Sequence, residues 1–137
     1  MNSMENDYKA IEDLSMIPYN YSLEQAYRNN DIIFDQLKSY NVKRLHDFIA
    51  NVEYGISDRV RIAKFVYDGK ATIAYLHFNG ENILYTIDIS RFNPDLKFIT
   101  YSGSKLFSHT EYNKKKEYEV YYLITNTHEV VEVFIDA

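Results

Sequence analysis

The chain has 137 residues, of which 46% are hydrophobic and 26% charged, and this composition is typical of one soluble globular domain. Its 20 acidic and 15 basic residues give a net charge of −5, which disfavours binding to nucleic acid or to anionic lipid. The lack of cysteine excludes a disulfide framework, a thiolate metal site and a cysteine nucleophile. No apolar run approaches the roughly 20 residues of a membrane span.

No break in composition and no internal repeat divides the chain. We therefore expect a single domain over residues 21–137, preceded by a polar, acidic and partly ordered N-terminal extension over residues 1–20. The first residues lack the basic and apolar regions of a signal peptide, which predicts a cytoplasmic protein. The alternative is the mature part of an exported protein from which the signal has been removed.

The N-terminal part of the chain predicts two short helices. Apolar residues among positions 11–17 recur at a spacing of three, which favours an amphipathic helix that ends before Pro18. Ser22 and Gln25 have the spacing of a capping box, so a second, two-turn helix is expected to begin there. The apolar, β-branched run at 32–34 is interpreted as a brief strand or a buried turn.

The strongest helix signal lies at residues 42–54. Asn41 is placed to cap the start of this helix, and Gly55 suits the residue that follows its end. A helix with a single apolar face needs an apolar partner. The residues of that face are Val42, Leu45, Phe48, Ile49 and Val52.

In the second half of the chain the hydrophobic period changes to two, which is typical of antiparallel strands. Asn79 and Gly80 predict a tight hairpin that pairs Leu76 with Ile83. A three-residue loop at 68–70 would keep the apolar residues of neighbouring strands on one face. Three more strands are expected at 96–107, 118–125 and 130–135. The predicted fold is α+β: one long amphipathic helix, plus a short N-terminal helix, packed on a five- or six-stranded antiparallel meander sheet.

No residues show the pattern of an enzyme site. The histidines stand far apart, at positions 46, 77, 109 and 128, without the short spacing of metal ligands. Neither a glycine-rich phosphate loop nor a G-x-S-x-G motif is present. We therefore predict a non-enzymatic protein with no catalytic, metal or cofactor-binding residues.

The unusual feature of the composition is its 14 tyrosines. One interpretation is the ordinary preference of tyrosine for strands. The other is a binding surface, because amphipathic aromatic side chains are enriched at protein interfaces. On that second interpretation the candidate interaction surface consists of Tyr75, His77, Tyr118 and Tyr122.

An ordered set of short segments spans residues 30–135. The most distinctive are Asn-Asp-Ile-Ile at 30–33, Asp-Arg-Val-Arg-Ile at 58–62, Phe-Asn-Gly-Glu-Asn-Ile at 78–83 and Tyr-Tyr-Leu at 121–123. This set resembles an uncharacterised family of small Gram-positive bacterial proteins, catalogued as a domain of unknown function. The resemblance implies a helix followed by antiparallel strands, with no established activity. Many members resemble exported lipoproteins with a cysteine pair, and Gly103 and Asn126 stand about where that pair would fall.

The sequence therefore predicts a protein-binding module of unknown partner, which uses a free sheet face or an edge strand. An exposed edge strand would also allow a homodimer. One alternative is a small-ligand-binding domain with a pocket between the helix at 42–54 and the sheet. A further alternative, suggested by the small acidic chain without an export signal, is an immunity or inhibitor protein of a mobile element.

Overall fold

The computed structural model describes residues 10–36, 38–67, 70–91, 95, 97–114 and 116–136. The described helices are α1 (10–15), α2 (Leu23–Arg28) and α3 (Val42–Glu53). The strands are β1 (Ile32–Phe34), β2 (Ser39–Tyr40), β3 (Asp58–Tyr67), β4 (Lys70–Phe78), β5 (Ile83–Asp88), β6 (Phe98–Asn113), β7 (Lys116–Thr125) and β8 (Val130–Asp136). In this part of the chain, no helix has the length and apolar character needed to span a membrane.

The strands form one eight-stranded sheet in the order β2-β1-β3-β4-β5-β6-β7-β8, which curls into a half-barrel. Neighbours are antiparallel except β1 and β3, which are parallel and are connected through β2 and α3. The two ends of the sheet approach each other. The Ser39 hydroxyl donates a hydrogen bond to the carbonyl of Ile135 at 3.3 Å, and the rings of Phe34 and Phe134 make an edge-to-face contact.

The predicted α+β fold, with one long helix on a five- or six-stranded antiparallel meander, is wrong. In the described residues the protein is mostly β, its helices are short, and its eight-stranded sheet is mixed. The run at 32–34, expected as a brief strand or a buried turn, is strand β1, but the predicted meander included only strands of the second half of the chain. β1 and β2 have three and two residues, too few to show a period. They join the sheet because the crossover through α3 returns the chain parallel to β1.

The main core fills the concave face of the sheet. It contains residues from both ends of the strand order, such as Ile32 and Phe134, and these can meet only on the inside of a curled sheet. The apolar stripe predicted for α3 packs into this core. Leu45 and Phe48 are fully buried there, and the other three stripe residues are partly buried.

A β-bulge, rather than an odd loop, aligns β3 with β4. Tyr67 pairs with Lys70, and the register shifts between Phe65 and Tyr67. The loop residues Asp68 and Gly69 lie outside the described residues, but this pairing leaves only two residues between the strands. The extra residue therefore lies within β3, where a bulge restores the common face that the sequence predicts.

The hairpin between β4 and β5 is longer than predicted. Ile83 pairs with Phe78, not with Leu76, so four residues form the loop. The Asn79 side chain stabilises the loop by accepting hydrogen bonds from the backbone N–H groups of residues 81 and 82. Because the register differs by two, the apolar side chains stay on the predicted face.

A second core lies on the convex face, where residues 10–26, the N-terminal segment, cover β1, β3 and β4. Leu14 of α1, Tyr21 and Ala26 of α2 are buried against Ile33 and Ile73 of the sheet. The buried Arg91 holds this segment against the sheet through hydrogen bonds. Its guanidinium pairs with Asp88 and donates to the carbonyls of Pro18 and Tyr19 at 2.7 and 3.2 Å.

Candidate functional site

The four residues predicted as an interaction surface lie in two separate places. Tyr75 and His77 belong to β4, whereas Tyr118 and Tyr122 belong to β7, and β5 and β6 lie between. Following the pairing across the sheet, His77 is level with residue 102 of β6, but Tyr122 pairs with residue 107. Five residues of strand correspond to about 17 Å, so the structure does not bring the four side chains into one patch.

Tyr75 and His77 stand beside two arginines of β3. In the antiparallel pairing, Arg61 is directly opposite Tyr75, and Arg59 is directly opposite His77. Here a cavity of about 370 Å³ opens to solvent, and we call it the arginine pocket. It is lined by Asn29, Asn30, Asp31, Arg44, Arg59, Val60, Arg61 and Tyr75.

Arg61 is held on the buried side of the pocket by Asp31. Its Nε donates to the Asp31 carboxylate at 2.8 Å, and its Nη2 donates to the Tyr21 hydroxyl at 3.1 Å. Tyr21 in turn donates to Asp31 at 2.6 Å. Burial raises the pKa of the Asp31 carboxyl, although the hydrogen bond from Tyr21 and the charge of Arg61 act against this rise. These contacts fix the direction of the Arg61 guanidinium.

Arg44 of α3 is held by Asp58 at the start of β3. The two side chains form a bidentate ion pair with distances of 2.9 and 2.6 Å, and Asn51 donates to the same carboxylate at 2.9 Å. Burial acts to raise the pKa of Asp58. The hydrogen bonds from Arg44, Asn51 and the Arg59 backbone outweigh burial and hold this pKa below its usual value.

Arg59 is the least engaged of the three arginines. Its side chain is 48% exposed, and among the described residues its guanidinium has one ion-pair partner, Asp13 on α1, at 3.9 Å. A charge-assisted hydrogen bond normally measures about 2.7–2.9 Å, so this contact is a long ion pair only. Arg59 therefore has N–H groups that can bind a ligand.

The loop at residues 29–31 forms the polar wall of the pocket, and a hydrogen bond from Asn41 stabilises it. Asn30 and Asn41 both adopt the left-handed backbone conformation with φ of 60°, which asparagine tolerates better than most residues. Asn41 stands at the predicted N-cap of α3, but its side chain does not cap the helix. Instead its amide donates to the carbonyl of Asn30 at 2.7 Å. The start of α3 and the loop before β1 are thus tied together.

Sequence reasoning missed the arginine pocket. A usable signal was present, because Arg59 and Arg61 are two residues apart on a predicted strand and so share a face. The pairing of Arg61 with Asp31 and of Arg44 with Asp58 was not visible. Asp31 is 30 positions from Arg61, and only the parallel pairing of β1 with β3 brings them together.

The other two predicted residues lie on the long β6–β7 hairpin. Tyr122 stacks on Phe107 with ring centroids 5.3 Å apart, and the Lys116 ammonium lies 5.5 Å from the centre of the Tyr118 ring. Tyr118 also lines a groove of about 470 Å³ together with Phe34 of β1. The structure therefore gives Tyr118 and Tyr122 local packing roles.

The histidines do not converge on a metal centre. In the ranges that the structure describes, no three histidine, aspartate or glutamate side chains are grouped as metal ligands. His46 of α3 is instead within 2.7 Å of the Tyr121 hydroxyl in β7. Burial raises the pKa of Tyr121 to about 12, so the tyrosine remains protonated and the contact joins α3 to the sheet.

Comparison with known proteins identifies a family. The sequence profile of the Domain of unknown function (DUF4362) matches residues 29–119, well over half of the chain. All residues that line the arginine pocket fall within the matched range. Searches of curated proteins and of solved structures find no match. The chain therefore belongs to the DUF4362 family, a family of domains of unknown function.

Proposed function

We propose that this domain is a non-enzymatic protein-binding module that holds its partner at the arginine pocket. The observation that carries the proposal is that Arg44, Arg59 and Arg61 surround one solvent-open cavity, in which the described part of the chain places no acceptor within hydrogen-bond distance of the Arg59 guanidinium. Arginine is enriched at the energetically important positions of protein interfaces, where its planar group makes several hydrogen bonds at once.

The pocket is organised before any partner arrives. Asp58 and Asp31 fix two of the three guanidinium groups, and the side chain of Tyr75 forms a half-buried wall beside them. A prearranged site loses less side-chain entropy on binding than a mobile one. The cysteine-free chain also needs no oxidising compartment for this arrangement.

The proposal predicts that capture of a partner depends on Arg59. We would immobilise the wild-type domain, the pocket variant Arg59→Gln and the control variant Arg28→Gln, and identify proteins retained from a lysate of the source organism. Arg28 is an equally charged side chain, 72% exposed on α2 and paired with Glu24, so its loss leaves the pocket intact. We expect a stoichiometric partner that wild type and Arg28→Gln retain and Arg59→Gln loses.

Two other outcomes would contradict this proposal. A partner retained by Arg59→Gln but lost by Tyr122→Ala would place binding on the β6–β7 hairpin. The absence of any stoichiometric partner, with all variants folded by circular dichroism, would argue against a protein-binding module.

A small-ligand-binding domain is the second candidate function. It is favoured by the position of the arginine pocket, which lies where Arg44 of α3 meets β3, and by its volume of about 370 Å³. Ligand pockets usually measure about 300–1,000 Å³, so this cavity would suit a small polar molecule. A thermal-shift screen separates the candidates, because only a free ligand raises the melting temperature without a partner protein.

A further inference from the structure

We infer that the arginine pocket recognises a carboxylate group, bound jointly by Arg59 and Arg61. This inference rests on the proposed function and adds the chemical class of the group that is bound. The carboxylate would come from the C-terminus of a partner protein, from one of its acidic side chains or from a free small acid.

The two arginines are placed side by side on one strand. They lie two residues apart on β3, so their side chains leave the same face of the strand. Arg61 uses its Nε and Nη2 for Asp31 and Tyr21, and the described part of the chain places no acceptor on its Nη1. The described residues also place no hydrogen-bond acceptor on the guanidinium N–H groups of Arg59. A planar carboxylate between them would receive N–H groups from both arginines.

The protein already places a carboxylate next to Arg59, outside the lining of the pocket. Asp13 of α1 lies 3.9 Å from Arg59, the nearest ion-pair partner of this guanidinium in the described residues. The distance is too long for a hydrogen bond, so the attraction is weak enough for an external carboxylate to replace it. Asp13 thus competes with an external carboxylate for the Arg59 guanidinium.

The charge balance of the pocket also favours a carboxylate. Its lining holds three guanidinium groups and the Asp31 carboxylate, and Asp58 pairs with Arg44, which leaves one net positive charge in the lining itself; Asp13, outside the lining, faces this charge only through the long ion pair with Arg59. One positive charge matches a carboxylate, which carries one negative charge. A phosphate monoester carries nearly two near neutral pH, and the chain as a whole, at −5, repels it further.

The test is a titration of the ¹⁵N-labelled domain by NMR at constant ionic strength. The probes are acetate, inorganic phosphate, and a short peptide in four forms: with a free or an amidated C-terminus, and with an internal Glu or Gln. We expect acetate and the carboxylate-bearing peptides to shift the amide signals of residues 59–61 and 75. The peptide forms show whether a chain terminus or a side chain is preferred.

Variants test the two arginines and the competing aspartate. Arg59→Gln should weaken carboxylate binding by at least about tenfold, and Arg59→Lys should recover only part of it, because lysine cannot bind bidentately. Asp13→Asn should tighten binding about threefold or more, since it removes the competitor. The matched controls Arg28→Gln and Glu12→Gln, which change the same charges outside the pocket, should leave the affinity unchanged.

The outcomes separate this inference from the proposed function. If phosphate or the fully neutral peptide binds residues 59–61 as well as acetate does, the carboxylate assignment is overturned, while the pocket remains a binding site. If Asp13→Asn does not tighten binding, the competing role of Asp13 is wrong. If no probe shifts the pocket signals, the inference fails, and the capture experiment alone decides the proposed function.

Discussion

At the scale of single residues, Asp58 holds the pocket residue Arg44 in place and links α3 to β3. Its carboxylate joins Arg44 and Asn51 of α3 to the first residue of β3. The side chain is only 14% exposed, so loss of its charge would leave the Arg44 guanidinium without its charged partner in a partly buried setting. Such a loss commonly costs about 1–3 kcal/mol.

We therefore predict that Asp58→Asn lowers the free energy of unfolding at pH 7 by about 1–3 kcal/mol. The pKa of Asp58 is lower in the folded protein than in the unfolded chain, so its stabilising contribution is complete above the unfolded pKa. The contribution disappears as the pH falls below about 4 and through the folded pKa. The difference between wild type and variant should shrink accordingly.

Urea unfolding of both proteins at pH 7 and in the acid range would measure this difference. The raised pKa of Asp31 also makes stability depend on pH, but it does so equally in both proteins and therefore cancels in their difference. Glu81→Gln, at an exposed carboxylate in the β4–β5 loop, is the control and should change stability little at either pH. A difference that stays constant with pH would show that the charge of Asp58 is not what stabilises the protein.

At the scale of elements, α2 is a helix that depends on its cap. It has six residues, too few for a helix to be stable by itself in water. Ser22 accepts from the backbone N–H of Gln25 at 3.1 Å, and the Gln25 side chain accepts from the backbone N–H of Ser22 at 2.8 Å. This capping box, which the sequence predicts correctly, places the loop that begins at Asn29 beside the pocket.

We predict that Ser22→Ala costs about 1 kcal/mol of stability, whereas Ser22→Thr, which keeps the hydroxyl, costs much less. The measurement is the denaturation midpoint of each variant in urea. Because α2 leads into the pocket, Ser22→Ala should also shift the NMR signals of residues 29–31. Equal stability of the alanine and threonine variants would mean that the hydrogen bonds of the cap contribute nothing.

At the scale of the whole molecule, the domain has two cores on opposite faces of one sheet. The N-terminal segment forms the outer part of the convex core, and Leu14 in it is fully buried. The same segment supplies Asp13, whose carboxylate lies 3.9 Å from Arg59 of the pocket. Residues 10–26 therefore contribute both to the stability of the sheet and to the charge beside Arg59.

We predict that Leu14→Ala lowers the free energy of unfolding by about 2–5 kcal/mol, the usual range for a cavity left by leucine in a core. Met16→Ala, at a side chain 79% exposed only two residues away, should have almost no effect. Chemical denaturation monitored by circular dichroism measures both. If the leucine variant is as stable as wild type, the N-terminal segment contributes little to the fold.

Much of the local structure could be predicted because it depends on neighbours in the chain. The helical period between Val42 and Val52 and the box at Ser22 are each complete within a few residues. The register of the sheet was predicted less well. A bulge in β3 and a loop of four residues after Phe78 both preserve the apolar face, so the pattern of apolar residues cannot distinguish them from the predicted turns.

The extent of α3, the apolar face of the central strands and the lack of recognisable catalytic motifs can be read from the chain without its fold, since each depends on a local pattern. The remaining features exist only in the folded molecule. The parallel pairing of β1 with β3 brings Asp31 to Arg61, and the crossover through α3 brings Arg44 to Asp58. Ion pairs between residues far apart in the chain produce no repeating pattern in the sequence. They form only after folding has closed the loop between the two residues.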